Sequence, residues 1–255
     1  MKRKMKRILC VLAFLLSCLG GWAADEGQPA QQAEQMYSEG KYEEAADIYT
    51  KILENGMESA ELYYNLGNCY YKSGGNTRAI LNYERALLLN PGDEMVRYNL
   101  KMAQQAVVDR IEVLPEFFLV RWYKSLVLCF SADKWGYISV GFFVLFLIMS
   151  TFFFYSRSVG IKKTGFVVGV VAFLLTVATV FFAAHQNRRI AKREYAIITT
   201  PSVTVKGSPD NSGTGLFLIH EGLKVRVVGE IESWYNIRLA DGNEGWVEKN
   251  DLEII

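Results

Sequence analysis

The sequence predicts a multi-domain membrane protein in three parts: an all-α repeat solenoid, a two-helix transmembrane hairpin and a small all-β barrel. Three observations carry this. Residues 135–156 and 164–184 form two runs without a single Asp, Glu, Lys, Arg or His. The segment before them repeats itself with a period of 34 residues, and the segment after them alternates apolar and polar residues with a period of two.

The chain opens with an export signature. Lys2, Arg3, Lys4, Lys6 and Arg7 precede an apolar core at 8–19, and Gly21-Trp22-Ala23 supplies a small-x-small site. Residues 1–23 are therefore expected to be a signal peptide cleaved after Ala23. Retention as an uncleaved anchor is the second reading, and lipidation of Cys18 within Leu15-Leu16-Ser17-Cys18 the third.

The first repeat copy spans 26–59 and the second 60–93, with a capping helix at 94–110. Ala33, Met36, Gly40, Ala45, Tyr49 and Ile52 return 34 residues later as Gly67, Tyr70, Gly74, Ala79, Tyr83 and Ala86. Within each set the spacing is helical, so each copy reads as a pair of helices. Tyr64, Asn65 and Leu66 return as Tyr98, Asn99 and Leu100, which places the capping helix in the same register. In the second copy Tyr63-x2-Leu66-Gly67-x2-Tyr70, then Ala79-x3-Tyr83, then Pro91 resembles the tetratricopeptide repeat. Gly67 and Ala79 are small where two helices approach, Tyr63, Leu66, Tyr70 and Tyr83 fill the seam, and Pro91 ends the second helix. Such arrays bind peptides or partner surfaces along the first helix of each unit. With the seam taken, Tyr64, Asn68 and Tyr71 share another face at i, i+4 and i+7, and these three with Lys72 and Tyr98 are the expected groove.

Residues 111–134 are too interrupted to span a bilayer. Phe117, Phe118 and Leu119 beside Arg121, Trp122 and Lys124 suit an interfacial linker among lipid headgroups. The first span is set at 135–156 and the second at 164–185, each long enough to cross ~30 Å of hydrocarbon. The turn at 157–163 carries Arg157, Lys162 and Lys163, while Arg188, Arg189, Lys192 and Arg193 form a basic collar after the second span. These charges do not orient the hairpin by themselves. The export signal does: it sends the repeats outward, makes the turn cytoplasmic and returns the β segment to the outer side. The expected location is a bacterial inner membrane, with both soluble modules in the periplasm.

Residues 195–255 alternate as half-buried strands, and Asp241-Gly242-Asn243 forms a hairpin turn. With Gly245-Trp246-Val247 closing the pattern, the segment resembles a bacterial SH3-type domain. Trp234, Tyr235 and Trp246 are its candidate ligand surface, although Trp246 is the one more expected to plug the core.

At 255 residues, 51% hydrophobic and a formal net charge of +1, the chain is neither disordered nor a nucleic-acid binder by bulk electrostatics. Its four cysteines form no CxxC pair and no disulfide framework. Only His185 and His220 are present, and Lys224 occupies the position where an H-E-x-x-H motif would need its second histidine. No catalytic residue, metal site or cofactor is expected, and the protein is read as a non-enzyme.

The whole order of segments resembles the E-type protein of the Bacteroides aerotolerance (Bat) operon family. That resemblance implies an envelope scaffold assembling with membrane-anchored von Willebrand A-domain proteins of the same operon. The rival expectation is a peptidoglycan-binding sensor or the targeting subunit of a cell-wall enzyme, with the barrel as the binding part.

Overall fold

The computed structural model describes residues 27–112 and 114–255, so the expected signal at 1–23 lies outside them. Five helices come first: α1 (Gly27–Ser38), α2 (Tyr42–Glu54), α3 (Ala60–Lys72), α4 (Asn76–Leu89) and α5 (Glu94–Ala103). They stack as antiparallel neighbours in the two predicted pairs plus a closing helix. Gly40 and Gly74, one period apart, hold φ of +79° and +87° at the turn inside each pair, a conformation that costs glycine nothing. Ser59 caps α3 by accepting from the Leu62 amide at 3.1 Å, and Asp93 caps α5 through the Met95 and Val96 amides. The predicted capping helix is shorter than 94–110, because α5 ends at Ala103 and passes through a single 3₁₀ turn, Gln104–Ala106.

The repeat seam is packed as the small residues require. Ala33, Ala45, Ala79 and Tyr83 are fully buried, and Leu66 nearly so. The ring of Tyr83 lies directly on Gly67: a Cβ there would sit 2.7 Å from its Cδ1 and Cε1.

The interfacial segment contains helix α6 (Phe118–Val127), and the two long apolar helices follow as α7 (Ala132–Tyr155) and α8 (Val159–Lys192). Both are long and apolar enough to cross a membrane. They pack antiparallel, so α7 begins and α8 ends at one pole while the Ser156–Ser158 link sits at the other. α8 runs beyond the predicted span at both ends; at 34 residues it measures about 51 Å, and only its apolar middle matches a bilayer core. The seam between them is built from small residues. Gly165, Gly169, Ala172 and Thr179 are buried along one stripe of α8, and a Cβ on Gly165 would lie 3.0 Å from the Met149 carbonyl oxygen. Small residues at this spacing let two apolar helices approach closely.

The seven strands β1 (Tyr195–Ile198), β2 (Ser202–Lys206), β3 (Gly215–His220), β4 (Lys224–Ile231), β5 (Trp234–Arg238), β6 (Glu244–Glu248) and β7 (Leu252–Ile254) form one antiparallel sheet in the order β3-β2-β6-β5-β4-β1-β7. Residues from both ends of that order, Val205 and Ile219 at one and Ile198 and Leu252 at the other, share a single core with Val225 and Ile237. The sheet therefore curls over on itself. A register shift between Val227 and Gly229 breaks the simple alternation of β4, which is why Ile231, an even number of residues from buried Val225, is 49% exposed.

The helical and β parts are not beads on a string. Ile197 and Ile255 of the sheet are buried in the same core as Ile80, Leu81, Tyr83 and Leu100 of the repeats. Polar contacts ring this junction: Lys224 with Glu84 at 2.5 Å, Arg85 with Glu253 at 2.8 Å, and Thr77 donating to Glu221 at 2.6 Å. Asp109 accepts from the His220 amide at 2.6 Å and faces its ring Nδ1 at 2.9 Å, tying the chain after α5 to β3.

Candidate functional site

The sheet covers α4, and the tip of the turn before α5 rests on the hairpin pole, where Gly92 abuts the Cys129 carbonyl closely enough to leave no room for a Cβ. The surface between α1 and α3 stays open. There a cavity of about 270 Å³ is lined by Glu34 and Tyr37 from α1, Tyr49 from α2, and Glu61, Asn65 and Asn68 from α3. Burial pushes the Tyr49 phenol up to about 12 and raises Tyr37 as well, so both remain neutral hydrogen-bonding groups at physiological pH. Neither Glu34 nor Glu61 has a cationic partner within 4 Å among the described residues. The floor is thus aromatic and amide, and the rim carries negative charge. Such a surface is suited to an extended polypeptide bearing a basic side chain.

Of the five predicted groove residues, only Asn68 lines this cavity. Its carbonyl oxygen accepts from the Tyr83 hydroxyl at 2.8 Å and the Asn99 amide at 2.9 Å, and Asn99 also donates to the Tyr64 hydroxyl at 3.2 Å. Tyr64 and Asn68 are therefore parts of a network that joins α3, α4 and α5, and only the amide NH₂ of Asn68 remains for a ligand. Tyr71, Lys72 and Tyr98 are exposed on the same side of the stack as helical spacing requires, without lining the cavity. Glu34 and Tyr37 were missed, yet a signal existed: stepping Asn68 and Tyr71 back by one period of 34 lands on them.

On the sheet, the two tryptophans exchange their expected places. Trp234, taken for a surface residue, is 7% exposed and covered by Lys206, whose ammonium stands 5.0 Å from the ring centroid. It is buried outside the main core, on the far side of the curled sheet. Trp246, expected as a core plug, is only half-buried, as is Tyr235, over which the Lys249 ammonium sits at 5.1 Å. Alternation along β5 is kept, with Tyr235 and Ile237 toward the core and Trp234 on the other face under Lys206; Trp246 pairs with Asn236 on that same outer face.

Among the described residues, no three of His, Cys, Asp and Glu are grouped to hold a metal ion. A further cavity of about 850 Å³ is an open cleft between the repeats and the sheet, lined by Glu43, Asp47, Arg78, Glu221 and Glu253 among others.

Stacked helical pairs with small residues at their crossings and an open groove define a helical-repeat module for protein–protein interaction. The tetratricopeptide repeat family model matches residues 60–93. Two curated relatives, tetratricopeptide repeat protein 16 of Macaca fascicularis and of Homo sapiens, are each 30% identical over 69 residues, covering 27% of this chain. The matched stretch spans only 8% of the length of those relatives, so the likeness concerns the repeat alone.

Proposed function

We propose that this protein is a non-catalytic membrane scaffold whose tetratricopeptide repeats hold a protein partner at a fixed place above the bilayer. The observation that carries the reading is the open α1–α3 groove on a stack whose other faces are taken by the sheet and by the pole of the hairpin. The apolar, outward-facing α7 and α8 support insertion as a two-span hairpin with both modules on one side, and the export signature supports the outer, periplasmic side. The curled antiparallel sheet, with Gly245-Trp246-Val247 on β6, supports an SH3-type reading of the C-terminal module. Through the resemblance of the segment order to the Bat family, the partners proposed are von Willebrand A-domain membrane proteins. The groove chemistry narrows the contact to a segment carrying a lysine or arginine.

The test is crosslinking in intact cells followed by mass spectrometry, comparing the native chain with a Glu34→Gln, Glu61→Gln, Tyr71→Ala variant. These positions lie outside the Tyr64–Asn68–Asn99–Tyr83 network, so folding is spared. Loss of a captured envelope protein in the variant supports the scaffold. An unchanged set, or capture of wall enzymes abolished by Tyr235→Ala and Trp246→Ala instead, would replace it with the peptidoglycan-directed reading.

A further inference from the structure

At the pole where α7 begins and α8 ends, α6, the end of α8, β1, β4, Leu88 of α4 and Ile255 border a half-open cavity of about 490 Å³. Six cations line it: Lys124 from α6, Arg188, Arg189, Lys192 and Arg193 from the end of α8, and Arg226 from β4. Glu194 answers Lys192 at 3.2 Å and Arg226 at 2.8 Å, Glu116 answers Lys124, and Glu58 answers Arg193 at 2.7 Å. Arg188 and Arg189 have no carboxylate within 4 Å among the described residues; the half-buried Arg189 guanidinium donates to Gln186 at 3.4 Å, and Glu84, which lines a neighbouring pocket with Arg189, lies beyond salt-bridge distance. The C-terminal dipole of α8 offsets about half a charge, against a surplus of three cations. The cavity is half open, but so many cations gathered at one place repel one another, and an anion among them relieves that repulsion.

The surroundings say which anion. Tyr123 of α6 packs edge-on against Phe182 and His185 of α8 at 6.3 and 5.8 Å, fixing α6 beside the cavity. From there Phe117, Phe118, Leu119, Val120 and Trp122 turn 44–67% of their surface outward. A basic cavity and a bare aromatic-aliphatic surface meet at one level, just where the apolar run of α8 gives way to its arginines. That is the shape of a phosphate group joined to acyl chains.

We propose that this cavity binds the phosphate headgroup of an anionic membrane phospholipid, with its acyl chains laid along α6 and the apolar part of α8. The site rests on the reading of α7 and α8 as a membrane hairpin. Arg188 and Arg189 are its principal ligands, and Arg226 couples the headgroup to the sheet.

The full chain is floated with phosphatidylcholine vesicles and with vesicles of phosphatidylcholine and phosphatidylglycerol. Lipid retained after detergent extraction is then counted by native mass spectrometry. Phosphatidylglycerol should be retained about tenfold over phosphatidylcholine, falling to near parity in Arg188→Gln, Arg189→Gln, with most of the preference restored in Arg188→Lys, Arg189→Lys. An unchanged preference in the glutamine variant overturns the site. Displacement of the lipid by inorganic phosphate at modest concentration would instead assign the cavity to a free anion and overturn the lipid claim. Flotation with both vesicles but no preference removes the lipid site alone, whereas flotation with neither removes the hairpin reading too.

Discussion

Replacing Gly67 by alanine adds a single methyl group in the middle of α3, and its effect separates two opposing forces. Helix propensity favours alanine by about 1 kcal/mol. Packing opposes it, because the new Cβ would stand 2.7 Å from two ring carbons of Tyr83, well inside ordinary contact. The ring has nowhere to go: Tyr83 is fully buried and its hydroxyl is held by Asn68 at 2.8 Å. Overpacking of this kind costs ~1–3 kcal/mol, so the net loss should be up to about 2 kcal/mol. For a cooperative unit of this size that lowers Tm by up to roughly 4–8 °C. The assay is thermal unfolding of the detergent-solubilised chain, followed by circular dichroism, as a double-mutant cycle with Tyr83→Leu. Removing the ring should abolish most of the alanine penalty, giving a coupling of about 1 kcal/mol or more. Gly136→Ala, where a Cβ meets nothing within 4 Å, should be neutral or stabilising. If Gly67→Ala also raises Tm and the coupling is near zero, the crossing of α3 and α4 is looser than described and the argument from small residues is wrong.

Three further outcomes are expected. Lys224→Met strips the cation from Glu84, which is 7% exposed, and should cost ~2–4 kcal/mol in guanidinium unfolding, while adding Glu84→Leu should restore most of it. Gly165→Leu places a branched side chain against the α7 backbone and should open the hairpin, seen as faster amide hydrogen exchange in both α7 and α8. The Tyr49 phenol has a folded-state value of about 12, above its ordinary 10.0, so its contribution is intact below pH 10 and is lost as pH rises toward 12. Comparing guanidinium midpoints at about pH 9 and about pH 11, Tyr49→Phe should lose less stability than the native chain by about 1 kcal/mol.

Much of the architecture was legible because it rests on local periodicity. The 34-residue repeat located all five repeat helices, and the uncharged runs located α7 and α8, since both are written in side-chain spacing. The burial of Trp234 was not legible: alternation puts it on the face opposite Tyr235 and Ile237, and the Lys206 that covers it comes from β2, a strand not adjacent to β5. Of the expected groove residues, helical spacing placed Asn68 at the α1–α3 cavity but could not show that Tyr64 and Asn68 are occupied by Asn99 and Tyr83, which approach from other helices. Least accessible was the junction of repeats and sheet, where Ile197 and Ile255 read in sequence as ordinary strand residues and in space complete a helical core.

If the hairpin spans a membrane as proposed, that shared core makes assembly of the soluble part depend on complete insertion. Ile80 and Ile197 are separated in sequence by both apolar helices, so under the proposed topology they meet only when the hairpin has crossed the bilayer and come back. A chain stalled after one crossing would strand its sheet on the wrong side. Its repeats would then be left with an apolar wound around Ile80 and Val107, a form open to proteolysis and unable to present a finished groove.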